Sequence, residues 1–582
     1  MITLNLIGIK IKNYRSIKNL PEDGDFQKIH RFTTIIGKND SGKSSILNAI
    51  RIVLEDEKIT KDDFHKNTDD SVEISLIFEV PTDVDDERIQ RLYNAINRDI
   101  ERWFFSGNGE NKLIRISKIF EKEEVIRHGS RCRPQTIYEY YNESNRNWVE
   151  IRERELKQLI NELLPETIYI PAIRDSKKET TLKSGIFRSK LLNPLLETQS
   201  ESEENSILEL KDKLYERIKE KVKLIEELIK DEFKALGNPV EEVSIDPSKL
   251  DVDFNPEIRI KDRFVPNSIP LELRGAGINS LFYLAMLRVY AKTGAGKGYI
   301  ILFEEPELCL HPEAQKKMFN ALRKISNEAQ VIITTHSTIF IDRSEIDSIW
   351  LIRRDENGET KVKTFEVGGE LKEIIEEIGA KPSDLLLSNG VIYVEGKTDV
   401  IVFSKIAKAI CPDWEEYNIS IVPLGGSNIK DIAKTLPSNG FANLNPHSIL
   451  VIDSDGQELD ENGYCKPSED KLKIKNKFEE YGINVYILKK KEIENYIDPE
   501  VIKEYFELQE IPEIKPNDDV PQLLKENYDC PRWEKNKSEI TPKLFGLMIK
   551  RKRIPLEFKE ILEKAIIKCG FEPKFNDEYE YV

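Results

Sequence analysis

Short apolar runs rich in β-branched residues recur along the chain, each ending on glycine, acidic or hydroxyl side chains: FTTIIG at 32–37, YIILFEE at 299–305, VIITTHS at 331–337, VIYVEG at 391–396 and SILVIDSD at 448–455. Stretches with helical spacing lie between them, and this alternation predicts an α/β architecture whose chemically active side chains stand at strand ends. The opening MITLNLIGIKIKNYRSI alternates apolar and polar residues, which predicts a strand rather than a secretion signal. Beyond residue 200 the period changes. Ile207, Leu210, Leu214, Ile218, Ile225, Leu228 and Phe233 recur at helical spacing among Glu and Lys, and the pattern stops at Gly237 and Pro239. Such a helix either covers the sheet or forms an arm against a second subunit, and the pattern leaves both open.

A chain of 582 residues exceeds what one hydrophobic core normally holds, so two or three domains are expected. Charged residues make up 33% and hydrophobic ones 39%, and no run approaches the ~20 apolar residues that span a bilayer. A cytoplasmic protein with no membrane partner is the expectation. The six cysteines are scattered without CxxC or Cys/His spacing, which argues against structural zinc and a disulfide framework. The net charge of -17 means that any polyanion must be met by a local basic patch or through bound metal.

Chemistry enters at the strand ends. GKNDSGKS, Gly37 to Ser44, follows an apolar strand and opens a helical run, the context that phosphate cradling requires. Gly37, Asn39, Gly42, Lys43, Ser44 and Ser45 are the candidate ATP contacts: glycines let backbone N–H groups curl round phosphate, Lys43 reaches the terminal phosphates, and the Ser44 hydroxyl holds Mg²⁺. In ILFEEPELCLHP, Glu304 stands where a Mg²⁺-side carboxylate is needed and Glu305 where a base must orient water.

The P-loop, the LRGAG segment at 273–277, the EEPE segment and TTHS together resemble the ATPase head of the ABC, RecF and SMC class. That resemblance implies a signature loop containing Gly275 and Gly277, a switch histidine at His336, and Glu305 as hydrolytic base. A signature loop completes a partner's site, so it also implies at least a dimer. The usual Mg²⁺-sensing glutamine is missing, since no Gln occurs between the P-loop helix and Gln90; Asp62 to Phe64 is the candidate substitute. Arg15 in NYRSI is a further candidate nucleotide contact.

A second acidic set lies in the last third. Glu395 ends one strand with Asp399 four residues on, and Asp453 and Asp455 end another. Converging carboxylates call for Mg²⁺ or Mn²⁺, and two such ions about 4 Å apart activate water and stabilise the leaving oxygen of a phosphodiester. EGxxD followed by DxD resembles the Toprim domain. Glu492 and Glu494 are candidates to complete the metal shell and Lys537 is the candidate lysine near the scissile phosphate. The runs Lys489–Lys491 and Lys550–Arg553 are candidate phosphate contacts, and Trp533 and Tyr496 candidate base-stacking residues.

An ATPase head with a helical insertion followed by a Toprim domain resembles the OLD (overcoming lysogenization defect) family over nearly the whole chain, helped by YIPAIRD at 169–175. The resemblance implies an N-terminal part of the ATPase over 1–165, a helical dimerisation insertion over 166–245, the rest of the ATPase over 246–365, and a Toprim nuclease domain with C-terminal helices over 366–582. It implies a metal-dependent DNA endonuclease under control of an ATP-binding head, acting in antiphage defence. The subtype it favours is the nuclease subunit of the Gabija system. The expected partners are DNA, further copies of the chain as a dimer or as a tetramer of paired heads, and a UvrD-like helicase. The alternative is a RecF-like ATP-dependent DNA clamp or repair scaffold without nuclease activity.

Overall fold

The computed structural model describes residues 3–66, 70–81, 86–92, 112–129, 132–142, 146–172, 207–235, 240–246, 257–262, 267–274, 277–279, 281–282, 284–286, 298–365, 380–425, 429, 442, 444–530 and 532–582. The chain divides into two compact units, Met1–Thr364 and Phe365–Val582. Among the described residues no helix is long and apolar enough to cross a membrane. All six cysteines are free thiols.

In the first unit the apolar runs become the interior of a largely parallel sheet. Its order is Thr360–Thr364, Ile349–Arg354, Phe32–Gly37, Gln330–Thr335, Tyr299–Glu304, Glu166–Ile170. Only the edge strand Thr360–Thr364 runs antiparallel to its neighbour. The central strands are buried along nearly their whole length, which is why they read as continuous apolar runs rather than as alternation. Because Glu304 pairs with Thr334 and Thr334 with Ile35, the P-loop, the acidic tip and the histidine tip emerge at the same edge.

A second, antiparallel sheet orders Ile17–Leu20, Asn5–Tyr14, Val72–Glu79, Leu113–Phe120, Gln135–Asn142 and Asn147–Glu150. The P-loop helix Lys43–Glu55 lies between the sheets: its Ile46, Leu47, Ile50 and Val53 share one core with Ile9, Ile11, Ile74 and Leu76 and with Ile35, Ile300 and Ile332. The opposite face of the parallel sheet is covered by a separate core.

The boundary expected at residue 166 falls inside the ATPase sheet. Glu166–Ile170 pairs parallel with Tyr299–Glu304 and is the outer strand of the ATPase sheet, a five-residue run too short for its pattern to distinguish it from a loop. The helix expected after residue 200 is present as Ile207–Ala235. Its Val222, Ile225, Ile229 and Phe233 are buried with Val243, Ile245 and Ile260 of the following antiparallel strands and with Phe32 and Ile301 of the ATPase sheet. This part of the helix covers the sheet.

The second unit holds a parallel sheet in the order Ile419–Pro423, Gly390–Val394, Ser448–Ile452, Asn484–Ile487. Helices Lys397–Ile410, Lys537–Lys550 and Leu556–Lys568 supply Phe403, Ile406, Leu544, Phe545, Phe558 and Leu562 to its core. Gly390–Val394 and Ser448–Ile452 are direct neighbours, with Val394 paired to Val451, so Glu395 and Asp453 leave the sheet side by side. Clefts at the carboxyl ends of parallel strands are where such sheets bind ligands.

Candidate functional site

In the first unit a cleft of about 1470 Å³ is lined by Asn39, Gly42, Lys43, Ser44, Ser45, Glu304 and Glu305, and by Arg15 and Asp62. The P-loop turns through left-handed backbone at Asp40 (φ 59°) and Gly42 (φ 106°). Glycine is needed at 42 for a second reason: a Cβ there would stand 2.5 Å from Thr360 Oγ1. Thr360 Oγ1 donates to the Ser41 carbonyl at 2.8 Å and shares a 2.7 Å hydrogen bond with Ser16 Oγ, so the edge strand clamps the loop from outside. Gly37 packs equally tightly, since a Cβ would lie 2.4 Å from the Ile352 carbonyl. Lys43 Nζ donates to the carbonyls of Gly37 and Lys38 at 2.9 and 2.8 Å. Burial lowers its pKa against the opposing pull of Glu305, Asp40 and Glu304.

Glu304 is buried, and its Oε1 has no hydrogen-bond partner. An orphaned carboxylate oxygen facing a phosphate cradle fits a hard cation such as Mg²⁺. Glu305 turns away at φ 43°, and its Oε1 lies 3.6 Å from His336 Nε2. His336 has a lowered pKa through burial and the nearby Lys43, partly offset by Glu305. Glu307 was not singled out by the sequence pattern. Its Oε1 accepts from Thr335 Oγ1 at 2.6 Å, from His336 N at 2.9 Å and from Ser337 N at 3.3 Å, holding the histidine loop in place. Its spacing of two and three from the acidic pair was the available signal.

Arg15 lines the cleft and pairs through Nε with Asp63 at 2.8 Å. Asp63 also caps the turn at Thr60, so of the two aspartates after Lys61 it is Asp62 that lines the cleft. In the expected signature segment, Leu273 is 75% exposed and Arg274 donates to the Ile260 carbonyl. Gly277 approaches the Cys309 carbonyl, and Gly275 lies outside the described residues.

In the second unit, Glu395 and Glu494 stand close enough to Asp399 and Asp453 for their charges to raise the pKa values of both aspartates. Burial and then its backbone bond to Gly396 act on Asp399, and the charges of Glu494 and Glu395 help bring it to about 7. Asp453 is held well above the usual carboxylate range by burial and by Asp399, Glu395 and Glu494. The Asp453 N–H donates to Glu395 Oε2 at 3.2 Å, and Asp399 Oδ2 accepts from Gly396 N at 2.7 Å, closing the start of helix Lys397–Ile410. Asp399 therefore shapes the turn that carries Glu395. Asp455 is exposed at φ 48°, with its N–H bonded to the Lys491 carbonyl. Ser454 between the two aspartates is fully buried and donates to the Lys490 carbonyl, which ties the acidic loop to the next strand.

Two lysines face this set. Lys537 Nζ lies 2.6 Å from Glu492 and 3.2 Å from Glu494; burial opposes its charge, but the two carboxylates outweigh burial and raise its pKa. Glu494 is 1% exposed and also accepts from Thr541 Oγ1 at 2.9 Å. Lys471 Nζ lies 2.5 Å from Glu395 Oε2 and 3.2 Å from Asp455 Oδ2. The sequence reading missed Lys471, which sits among Lys473, Lys475 and Lys477 on helix Glu469–Glu480. The signal was there: Ile474 and Phe478, three and seven positions on, are buried and mark its helical face as the inner one.

The donor set fits a hard divalent cation: carboxylate oxygens crowd together, and their mutual repulsion is what such an ion relieves. Among the described residues, however, no three of them already stand in ligating positions, and the two ammonium groups hold them instead. Glu395, Asp453 and Asp455 are the residues that would hold the ion.

The expected basic and aromatic contacts turn out differently. Arg551 pairs with Glu500 and Glu504, Lys552 with Glu578, and Arg553 with Asp498 and Glu580, so three of the four cations of the run have carboxylate partners within the unit. Lys489 lies 3.5 Å from Glu560 and Lys490 donates to the Asn495 carbonyl. Trp533 and Tyr496 are buried core residues whose polar atoms bond to Thr541 and Glu557, so neither is a surface for stacking bases.

Residues 5–341 match the AAA ATPase domain family, and residues 386–455 match the TOPRIM domain of overcoming lysogenization defect protein-like proteins. The chain is 22% identical to an OLD nuclease of Thermus scotoductus over 72% of its length and 76% of the relative's. It is 25% identical to Endonuclease GajA of Bacillus cereus over 75% of its length and 73% of the relative's. The Old nuclease of Escherichia phage P2 is 24% identical over 70% of both chains. With a P-loop cleft in one unit, an acidic strand-tip cluster in the other, and family matches over both, the chain belongs to the AAA ATPase domain family and carries behind that domain the TOPRIM domain of OLD-like proteins.

Proposed function

We propose that the chain is a metal-dependent DNA endonuclease whose Toprim carboxylates cut the phosphodiester backbone under control of the ATP-binding head. The observation that carries this reading is the side-by-side emergence of Glu395 and Asp453 from paired strands, with Asp455 beside them. Mg²⁺ or Mn²⁺ bound there supplies an activated water and neutralises charge on the phosphate. Glu395, Asp453 and Asp455 bind and orient; Asp399 fixes the turn that aims Glu395; Lys537, part exposed beside Glu492 and Glu494, offers positive charge toward the phosphate. In the head, Gly37, Asn39, Gly42, Lys43, Ser44 and Ser45 cradle ATP, Glu304 holds the Mg²⁺ side, and Glu305 with His336 orients the hydrolytic water.

The signature segment with Gly275 and Gly277 completes a neighbouring copy's cleft, which makes the working form a homo-oligomer. The three nuclease relatives support the DNA-cutting reading. Similarity to Endonuclease GajA supports the endonuclease part of this reading, and a cytoplasmic antiphage role with a UvrD-like helicase partner is the extension we propose. The test is incubation of supercoiled plasmid with Mg²⁺ or Mn²⁺, with and without ATP. Nicked or linear product is expected; DNA left intact in every condition overturns the reading in favour of a RecF-like clamp.

A further inference from the structure

Lys471 is 2% exposed, whereas its helix neighbours Lys473, Lys475 and Lys477 keep 73%, 37% and 37% of their side chains in solvent. It sits in the first turn of helix Glu469–Glu480, and two hydrogen bonds hold that turn, one as its cap and one to the acidic loop. Ser468 Oγ accepts from Lys471 N at 3.4 Å, and Ser468 N donates to the Ser454 carbonyl at 2.9 Å. The ammonium is thus delivered into the carboxylate set by two anchored segments rather than by a mobile surface chain. It bridges Glu395 Oε2 and Asp455 Oδ2, and that same Glu395 oxygen accepts from the Asp453 N–H.

A lysine ammonium donates hydrogen bonds but offers no lone pair, so it neutralises carboxylates without ligating a metal. Glu395 and Asp455 are also two of the three residues that would hold a divalent ion. Lysine and ion therefore draw on the same two carboxylates and repel each other. Lys537 is not equivalent, because it draws on Glu492 and Glu494.

We infer that Lys471 is a tethered monocation that occupies one cation position of the Toprim carboxylate set and tunes how tightly a divalent ion binds there. This rests on the proposed reading of the carboxylates as a metal site. Lys471 acts through Glu395 and Asp455 and is a positioning residue. It keeps the carboxylates gathered before an ion arrives and weakens the ion's hold once it is there.

The test is Mn²⁺ binding to the full chain without nucleotide, followed by electron paramagnetic resonance and calorimetry, with Asp453→Asn marking the Toprim-dependent part. Lys471→Met removes the charge while keeping a long apolar stem, and Lys471→Gln also keeps donors for both carboxylates should the Met variant fold poorly. Either is expected to bind Mn²⁺ about tenfold more tightly or better, since a neighbouring positive charge has gone. Both should melt at lower temperature without metal and recover when Mn²⁺ is added, and Lys471→Arg should stay close to wild type. Lowered melting with unchanged or weaker Mn²⁺ affinity marks a purely structural ion pair and overturns the inference. A wild type that leaves plasmid intact while Lys471→Gln tightens Mn²⁺ binding sinks the nuclease reading and supports the inference. Absence of Asp453-dependent Mn²⁺ binding from both wild type and variant overturns the metal site and the inference together.

Discussion

Glu307 accepts a 2.6 Å hydrogen bond from the Thr335 hydroxyl, and the same oxygen takes the N–H groups of His336 and Ser337. A buried carboxylate thus sets the loop that presents His336 to Glu305. Replacing it with alanine leaves those donors unsatisfied, at a cost of about 1–3 kcal/mol. Glu307→Ala is expected to lower ATP turnover by roughly 10- to 100-fold through displaced geometry. Binding of a fluorescent ATP analogue should remain, because the P-loop is untouched. Unchanged turnover in the folded variant contradicts this role.

The edge strand contributes to the nucleotide site from outside the usual motifs. Thr360→Val keeps the shape of the side chain but removes its donor to the Ser41 carbonyl and its bond to Ser16. A neutral hydrogen bond is worth about 1 kcal/mol, so ATP affinity should fall about fivefold. Equilibrium titration with the analogue measures it, and an affinity equal to wild type shows that the clamp is idle.

The crowded carboxylates make metal-free stability depend on pH. Asp399 titrates at about 7 in the fold, above its ordinary 3.8, and Asp453 is also raised. The folded chain therefore holds protons that the unfolded chain has released. The resulting stabilisation is complete below the unfolded carboxylate pKa and is lost as pH rises through about 7 for Asp399. With chelator present, melting temperature should fall between pH 5 and pH 8. Asp399→Asn, which keeps an acceptor for Gly396 N, should flatten that fall. An equal slope in both proteins contradicts the assignment.

The features legible in the sequence were those whose signal is local. A strand that ends on GKNDSGKS, on Glu304 and Glu305 or on Asp453 and Asp455 announces itself, because burial on both faces forces an apolar run and the chemistry follows at its tip. What stayed hidden depends on contacts distant in the chain. Thr360 meets Ser41 only because the edge strand folds back along Ile349–Arg354. Lys471 looks like one of several solvated lysines until Ile474 and Phe478 orient the helix. The basic run ending at Arg553 looks like a phosphate surface until its carboxylate partners arrive from Asp498, Glu504 and Glu578. Charge shows in composition, but its neutralisation shows only in the fold.

The two chemistries should separate by mutation. Lys43→Ala removes the lysine of the phosphate cradle and should abolish ATP hydrolysis while leaving Mn²⁺ binding at the Toprim carboxylates intact, as measured by calorimetry. Loss of that Mn²⁺ binding shows that the variant perturbs more than the head.

Asp453→Asn tests the central claim most directly, because it removes one ionisable carboxylate beside Glu395, Asp399 and Glu494 and leaves the head's sequence untouched. Plasmid cleavage and ATP hydrolysis are to be measured on the same preparation with Mg²⁺ or Mn²⁺. Cleavage is expected to fall by roughly 100-fold or more, the scale of losing one preorganised group at a reacting centre, with ATP hydrolysis retained. Cleavage at the wild-type rate in Asp453→Asn contradicts the account.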